Sequence, residues 1–379
     1  MNAHRPAFAF LCMCAAFHLS PAADPAAPPA NAASLDGWQR LAPLPDPVGY
    51  GGMFAGVLNG RLVAGGGSQF RDKPNWLQGQ KVFSDRILVL NRPDGRWTED
   101  TLRLPKGAGH FASAATADAI YFAGGVDAAG CLRETWELRA TGEKLALRQL
   151  PDLPLPLGYA TAAIVGSRLY VAGGITTPAS KEPSVETWSL DLSDVSNTKV
   201  HAWRREPDLP APGVFVAAGA SDGKHVYFLG GIGFTPAPEG KATPSARAFR
   251  LAPGAERWER LADLPGPRVG PASPCPVVDG KLFVIGGYAE VFPGAQRDHP
   301  GFSQQTLLYS ITRNAWENGP VLPHAAVPDR DAPGDPGPAP MIAAPCTVWE
   351  NRAVVISGEV RASVRSPTVL AWPLERLKP

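Results

Sequence analysis

The chain has 379 residues, with 36 Lys and Arg against 35 Asp and Glu and a formal net charge of +1. That balance, with no basic run and no aromatic–basic platform, argues against nucleic acid as a partner, and no internal apolar run is long enough to span a bilayer. The 40 glycines and 41 prolines would read as disorder if they lacked a period.

In chain order, residues 1–23 read as a secretory signal. His4 and Arg5 form a short, weakly basic start, residues 7–19 an apolar core, and residues 20–23 (SPAA) a small-residue cleavage region. The bland alternative is a disordered tail. Cys12 and Cys14 lie inside the apolar core without the small residues that a lipid-attachment site needs. Export to the periplasm follows as an expectation, with no membrane insertion after cleavage. Residues 24–36 are rich in Ala and Pro and read as a linker.

From residue 37 onward one phrase recurs. A β-rich run ends in a small-residue doublet: Gly65 and Gly66, Gly124 and Gly125, Gly173 and Gly174, Gly230 and Gly231, Gly286 and Gly287, and, altered, Ser357 and Gly358. A unit near ~50 residues is the period of a kelch β-propeller, so the doublets predict six blades. Each unit has a Gly/Ala-rich inner strand (residues 52–57 or 161–165), the doublet strand (168–172 or 281–285), a third strand (86–90 or 306–309) and a fourth carrying a Trp and then Leu-Pro. Trp97, Trp203, Trp258 and Trp316 mark the fourth strands. The unit at residues 127–172 has residues 147–151 (LRQLP) instead and reads as a degenerate repeat. Residues 38–45 (WQRLAPLP) are a fourth strand with no blade before them, and the last unit stops without one. Joining the two closes a six-bladed ring over residues 37–379 and leaves no open sheet edge there.

Three cysteines remain beyond the signal: Cys131, Cys275 and Cys346. An odd count gives no disulfide framework, and Cys275 and Cys346, each 11 residues before its doublet, read as small buried hydrophobes on neighbouring inner strands. The scattered histidines form no metal-ligand spacing, and no cofactor is expected. The doublets lead into loops without a helix or a Gly-Lys-Ser/Thr, which argues against a nucleotide site.

Long insertions fall on the face reached by the loops after the doublets. Residues 68–84 carry Phe70, Arg71, Asp72, Lys73 and Trp76; residues 234–245, 288–304 and 324–340, the last with Arg330, are also long. They are tolerated surface insertions or the walls of a pocket for a small polar ligand. The recurring Trp residues are blade packing, and Trp76, outside the repeat, is the exception. The sharpest constellation is residues 357–365 (SGEVRASVR). Glu359 follows the altered doublet directly and leaves the strand end near the central mouth. Arg365 lies six residues on, enough for a short loop to turn back. A carboxylate beside a guanidinium in a partly enclosed mouth binds an acidic substrate and moves protons; the alternative is an ion pair that pins a loop. His110, Arg268 and Arg330 are the other candidate mouth residues for substrate binding, with Trp76.

Residues 49–67 (GYGGMFAGVLNGRLVAGGG) resemble a blade of the bacterial sialic acid epimerases, kelch-type N-acetylneuraminate mutarotases, and the likeness extends to residues 85–90 (DRILVL). Gly358 and Glu359 with Arg365 resemble that family's Gly-Glu motif with an arginine six residues on. The resemblance implies that Glu359 and Arg365 are the catalytic pair, that the substrate is a small acidic sugar, that no cofactor takes part and that the protein is exported. Ser357 and the Ser366-Pro367 pair depart from the family pattern. The Glu–Arg blade is also last here and the Gly-rich blade first, a cyclic permutation that a closed ring makes neighbours in space. A non-catalytic kelch module binding a glycan or protein is the alternative. A copper radical oxidase would need Tyr and His ligands beside a Tyr–Cys cross-link, and the sequence offers no such grouping.

Overall fold

The computed structural model describes residues 35–193, 202–292, 296–299, 301–323 and 342–377. The chain divides into two compact units, residues 1–31 and 32–379, and every described residue belongs to the second. The expected signal segment therefore lies outside the described residues.

The second unit is a six-bladed β-propeller built of six four-stranded antiparallel sheets. Blade one is Phe54–Leu58, Arg61–Gly65, Arg86–Leu90 and Trp97–Arg103. Blade two is Ala112–Ala115, Ala119–Ala123, Thr135–Thr141 and Lys144–Leu150. Blade three begins at Thr161–Val165, blade four at Ala218–Ser221 and blade five at Val277–Val278. Blade six takes Cys346–Trp349, Arg352–Ile356 and Val369–Pro373, and its outer strand is Gln39–Leu41 from the start of the unit. The ring is closed as the sequence predicts: Gln39 pairs with Ala371, Arg40 with Leu370 and Leu41 with Val369.

The core lies between blades. A blade buries both of its faces against its neighbours, so the second strands are apolar beyond a charged first residue in four of the six, and all five residues of Ala119–Ala123 are buried. Between blades one and two, Phe54 and Phe122 stack at 4.3 Å among Val63, Ile87, Val89, Ile120 and Leu138. Inner strands crowd the axis and need small residues. A Cβ on Gly56 would come within 2.6 Å of Ile120 in the next blade.

The Trp of each fourth strand donates its indole N–H to a carbonyl of the preceding blade: Trp97 to Ala42 (2.8 Å), Trp203 to Pro151 (2.8 Å), Trp258 to Pro207 (2.9 Å), Trp316 to Ala262 (2.8 Å) and Trp38 to Val321 (2.9 Å). Only blade two lacks the Trp. Its fourth strand is nonetheless regular, with seven pairs from Thr135↔Leu150 to Thr141↔Lys144, and Leu145 fills the apolar gap. The departure there is a residue exchange within an intact blade.

Backbone geometry corrects the doublet of the first repeat. In every other blade the two doublet residues have φ near +55° to +74° and then +89° to +118°. In blade one those values belong to Gly66 (+65°) and Gly67 (+97°), while Gly65 is the last residue of its strand. Three consecutive glycines hid the register. With that shift the doublets of all six blades share one backbone geometry. The residue after each doublet bridges to the residue leading into that blade's inner strand: Ser68 to Gly51, Val126 to Gly109, Ile175 to Gly158, Ile232 to Phe215, Tyr288 to Val269 and Glu359 to Ile342.

The next position forms a closed belt. Gly52, His110, Tyr159, Val216, Gly270 and Ala343 all have φ between +51° and +74°. Each N–H donates to the carbonyl of its counterpart in the preceding blade: Gly52 to Ala343 (2.6 Å), His110 to Gly52 (2.6 Å), Tyr159 to His110 (3.1 Å), Val216 to Tyr159 (2.9 Å), Gly270 to Val216 (2.8 Å) and Ala343 to Gly270 (3.0 Å). The left-handed conformation turns each N–H and C=O along the ring, at a strain cost for the non-glycine members. The belt lines a cavity of ≈ 60 Å³ on the axis, together with Ser113, Thr161 and Ser273.

Candidate active site

The loops after three doublets are two-stranded ribbons: Ser68–Phe70 with Lys81–Phe83, Ile232–Phe234 with Ala242–Pro244, and Glu359–Arg361 with Val364–Arg365. The ribbons of blades one and six bring the candidate residues together. Within the blade-six ribbon Glu359 pairs directly with Arg365. The six-residue spacing is thus a hairpin that sets the two side chains face to face, with Arg365 Nη1 2.8 Å from Glu359 Oε1.

Arg365 is 2 % exposed. Its Nε donates to the Ser68 carbonyl at 3.1 Å, and its guanidinium lies 5.5 Å from the centre of the Phe70 ring. Nη1 touches the carboxylate without a hydrogen bond aligned on an acceptor among the described residues, and a guanidinium has five N–H bonds, more than its contacts to Glu359 and Ser68 use. Glu359 Oε2 accepts the Ser363 N–H at 3.2 Å, which fixes the carboxylate from the turn of its own ribbon.

Around the pair stand residues from blades one to three and five. His110 Nε2 lies 3.0 Å from the Ser68 hydroxyl, and the His110 ring packs on Tyr159 with centroids 4.5 Å apart. The Lys81 ammonium lies 3.5 Å from the Tyr159 hydroxyl. Burial holds His110 well below its usual range, helped by the cations of Lys81 and Arg365, so the imidazole is neutral. Burial and then the Glu359 charge push the phenols of Tyr159 and Tyr288 up to about 12. Burial also lowers Lys81, with Arg365 adding to the shift and Glu359 opposing it. His299 is lowered by burial and by Arg361, against the pull of Glu359. The mouth therefore offers one carboxylate, two cations, two phenols that stay protonated and neutral imidazoles.

Of the residues singled out in the sequence, Glu359, Arg365 and His110 meet here. Arg268 does not join them. It is buried between blades four and five, at the position held by Ala108, Leu157 and Val214 in other blades, where its carbonyl accepts the Gly231 N–H at 2.8 Å. Burial alone lowers its ionisation, and its Nε and Nη1 have no hydrogen-bond partner among the described residues. Trp76 packs against the blade-six core, with the Arg361 guanidinium 5.2 Å from its ring centre. Arg330 lies outside the described residues, as does the whole of the 324–340 insertion. Cys275 and Cys346 are free and buried in separate core clusters. No group of three or more His, Cys, Asp or Glu suited to a metal occurs among the described residues.

Sequence reasoning missed Lys81, Tyr159 and Tyr288. The repeat contained a signal for two of them. Tyr159 is His110 read one blade later, and Tyr288 is Glu359 read one blade earlier.

No family model matches the chain. It is 22 % identical over 265 residues to the N-acetylneuraminate epimerase of Brucella melitensis, covering 60 % of each protein. To the enzyme of the same name from Pasteurella multocida it is 24 % identical over 258 residues, 61 % of this chain and 60 % of that protein. The chain resembles the bacterial N-acetylneuraminate epimerases. It spans about 60 % of the length of these curated relatives. A kelch-like protein of Aspergillus terreus, terF, matches 180 residues at 26 % identity, 46 % of this chain and 37 % of that protein. The six blades are accordingly kelch-type blades.

Proposed function

We propose that the mouth interconverts the α and β anomers of N-acetylneuraminate or a related nonulosonic acid. The observation that carries this reading is the Glu359–Arg365 pair, set face to face across a ribbon. The likeness to N-acetylneuraminate epimerases supports it. Ring opening requires the anomeric hydroxyl to lose a proton as the ring C–O bond breaks, while the ring oxygen gains one. Glu359 takes the first proton. The protonated phenols of Tyr159 and Tyr288 are the donors for the second. The open keto acid then rotates about the bond beside its carbonyl carbon, and ring closure on the other face returns both protons. Arg365 orients the sugar carboxylate and steadies the charge that develops on the anomeric oxygen. No step draws on a cofactor.

The test is exchange spectroscopy by NMR on freshly dissolved α-anomer. Glu359→Gln should retain the fold and slow enzyme-dependent exchange by ~100-fold or more, the usual effect of losing a general acid/base. Wild-type protein that leaves the spontaneous rate unchanged would instead favour a kelch module that only binds its ligand. Export belongs to the same proposal. Mass spectrometry of protein from the native host should find a new N-terminus near residues 22–24, and an intact Met1 in a cytoplasmic fraction would count against it.

A further inference from the structure

Lys81 brings a second cation to the mouth, and among the described residues no carboxylate is paired with it. It stands on the returning strand of the blade-one ribbon, opposite Phe70, the residue on which Arg365 rests. Its side chain is half-buried, 3.5 Å from the Tyr159 hydroxyl and 5.9 Å from the centre of the Phe83 ring. Among the described residues it makes no ion pair, and the nearby carboxylate, Glu359, already touches Arg365 at 2.8 Å. Arg365 repels the ammonium and Glu359 attracts it, so the three groups share one field. Two cations thus face one carboxylate in a site largely removed from water. Taking a charge out of water without a partner is costly, and such an arrangement is offset when a second anion enters.

We propose that Lys81 and Arg365 together form a two-cation clamp for the carboxylate of the substrate, which makes Lys81 the residue that selects acids over neutral sugars. The proposal rests on the mouth being the substrate site. The two cations have different parts. Arg365 is held from behind by Glu359 and the Ser68 carbonyl and presents the remaining N–H bonds of its fork. Lys81 adds a point charge on a flexible stem and approaches from the opposite ribbon. Because the clamp spans blades six and one, a carboxylate bound there links the two ribbons.

The probes are N-acetylneuraminate and its methyl ester, which removes the charge at the cost of one added methyl group, titrated by calorimetry or saturation-transfer NMR. Wild-type protein should bind the acid at least about tenfold more tightly than the ester. Lys81→Met should lose about tenfold in affinity for the acid, leave the ester unchanged, and melt at the same or a higher temperature, because it removes a half-buried charge that no carboxylate among the described residues pairs. Lys81→Arg should restore most of the preference for the acid. Wild-type protein that binds acid and ester alike, or binds neither, would overturn the clamp, as would equal losses for both ligands in Lys81→Met. Anomer exchange, measured separately, keeps the two readings apart. Preference for the acid without faster exchange would remove the mutarotase reading and keep the clamp. Faster exchange with an acid-to-ester ratio untouched by Lys81→Met would do the reverse.

Discussion

Ser357 shows how a residue that looks like a lapse in the repeat acts as a part. In other blades the N–H at the position of Tyr50 donates directly to a carbonyl of the preceding blade: Ala108 to Ser84 (3.2 Å), Leu157 to Leu132 (2.9 Å) and Arg268 to Ser245 (3.0 Å). Between blades six and one the Ser357 hydroxyl is inserted into that bond. It accepts the Tyr50 N–H at 2.7 Å and lies 2.6 Å from the Ser366 carbonyl. The residue keeps the left-handed conformation of the glycine it replaces, with φ +55°. Two effects therefore oppose each other. Ser357→Ala keeps the strain and orphans a buried N–H, which costs about 1–3 kcal/mol. Ser357→Gly orphans the same N–H and relieves about 1–2 kcal/mol of left-handed strain. Urea unfolding should rank wild type first, Gly second and Ala last; a glycine variant more stable than wild type would mean that the hydroxyl contributes less than the strain Ser357 carries. The sequence marked Ser357 as a departure, but its partner Tyr50 lies in another blade, 307 positions away, and no local pattern shows it.

At the scale of elements, legibility followed period. Strand alternation and the Trp-to-Leu-Pro phrase located the blades because each packs both faces in the same way, and burial enforces the pattern in every unit. The ribbons were not legible. Ser68–Phe70 and Lys81–Phe83 are three-residue strands separated by a ten-residue excursion with a short 3₁₀ turn at Asn75–Leu77. Nothing in so short a run distinguishes a ribbon from a loop, so Lys81 was just one basic residue in an insertion until its pairing with Phe70 placed it. Glu359 and Arg365 were legible because their spacing fits a hairpin and their family likeness is local. His110 stood out as a candidate and Tyr159 did not, although both occupy the left-handed belt. Each lies 14 residues before its own doublet, at Gly124 and Gly173, so the repeat held the signal for Tyr159 as well as for His110.

For the molecule as a whole, the candidate site sits on the seam that closes the ring. Blade six meets blade one there, and the contacts that build the site cross it: Arg365 Nε to the Ser68 carbonyl, Gly358 N–H to the Tyr50 carbonyl at 2.8 Å, and the Gly52–Ala343 bond of the belt. Residues 38–45 tie blade six to both neighbours: Leu41 and Leu44 join the core shared with blade one, and Trp38 joins the core shared with blade five. Trp38 is fully buried, packs on Trp372 at 5.3 Å and Phe283 at 6.3 Å, and donates to the Val321 carbonyl. Leu44 adds a bond to the Pro367 carbonyl at 2.9 Å, immediately beside Ser366. Stability and site geometry are therefore coupled through this strand. Trp38→Ala should cost about 3–5 kcal/mol, the range for deleting a buried aromatic. Deleting residues 35–45 while retaining any export signal should do more. It strips blade six of its outer strand, exposes the Val369–Pro373 edge to pairing with other chains, and frees the two blades to separate. The expected outcome is a lower melting temperature, a shift to larger species on size-exclusion chromatography, and loss of ligand binding at the mouth together with the loss of closure. A truncated protein that melts, elutes and binds like the full chain would show that the ring is held shut by the inner strands alone, and that the seam owes nothing to residues 35–45.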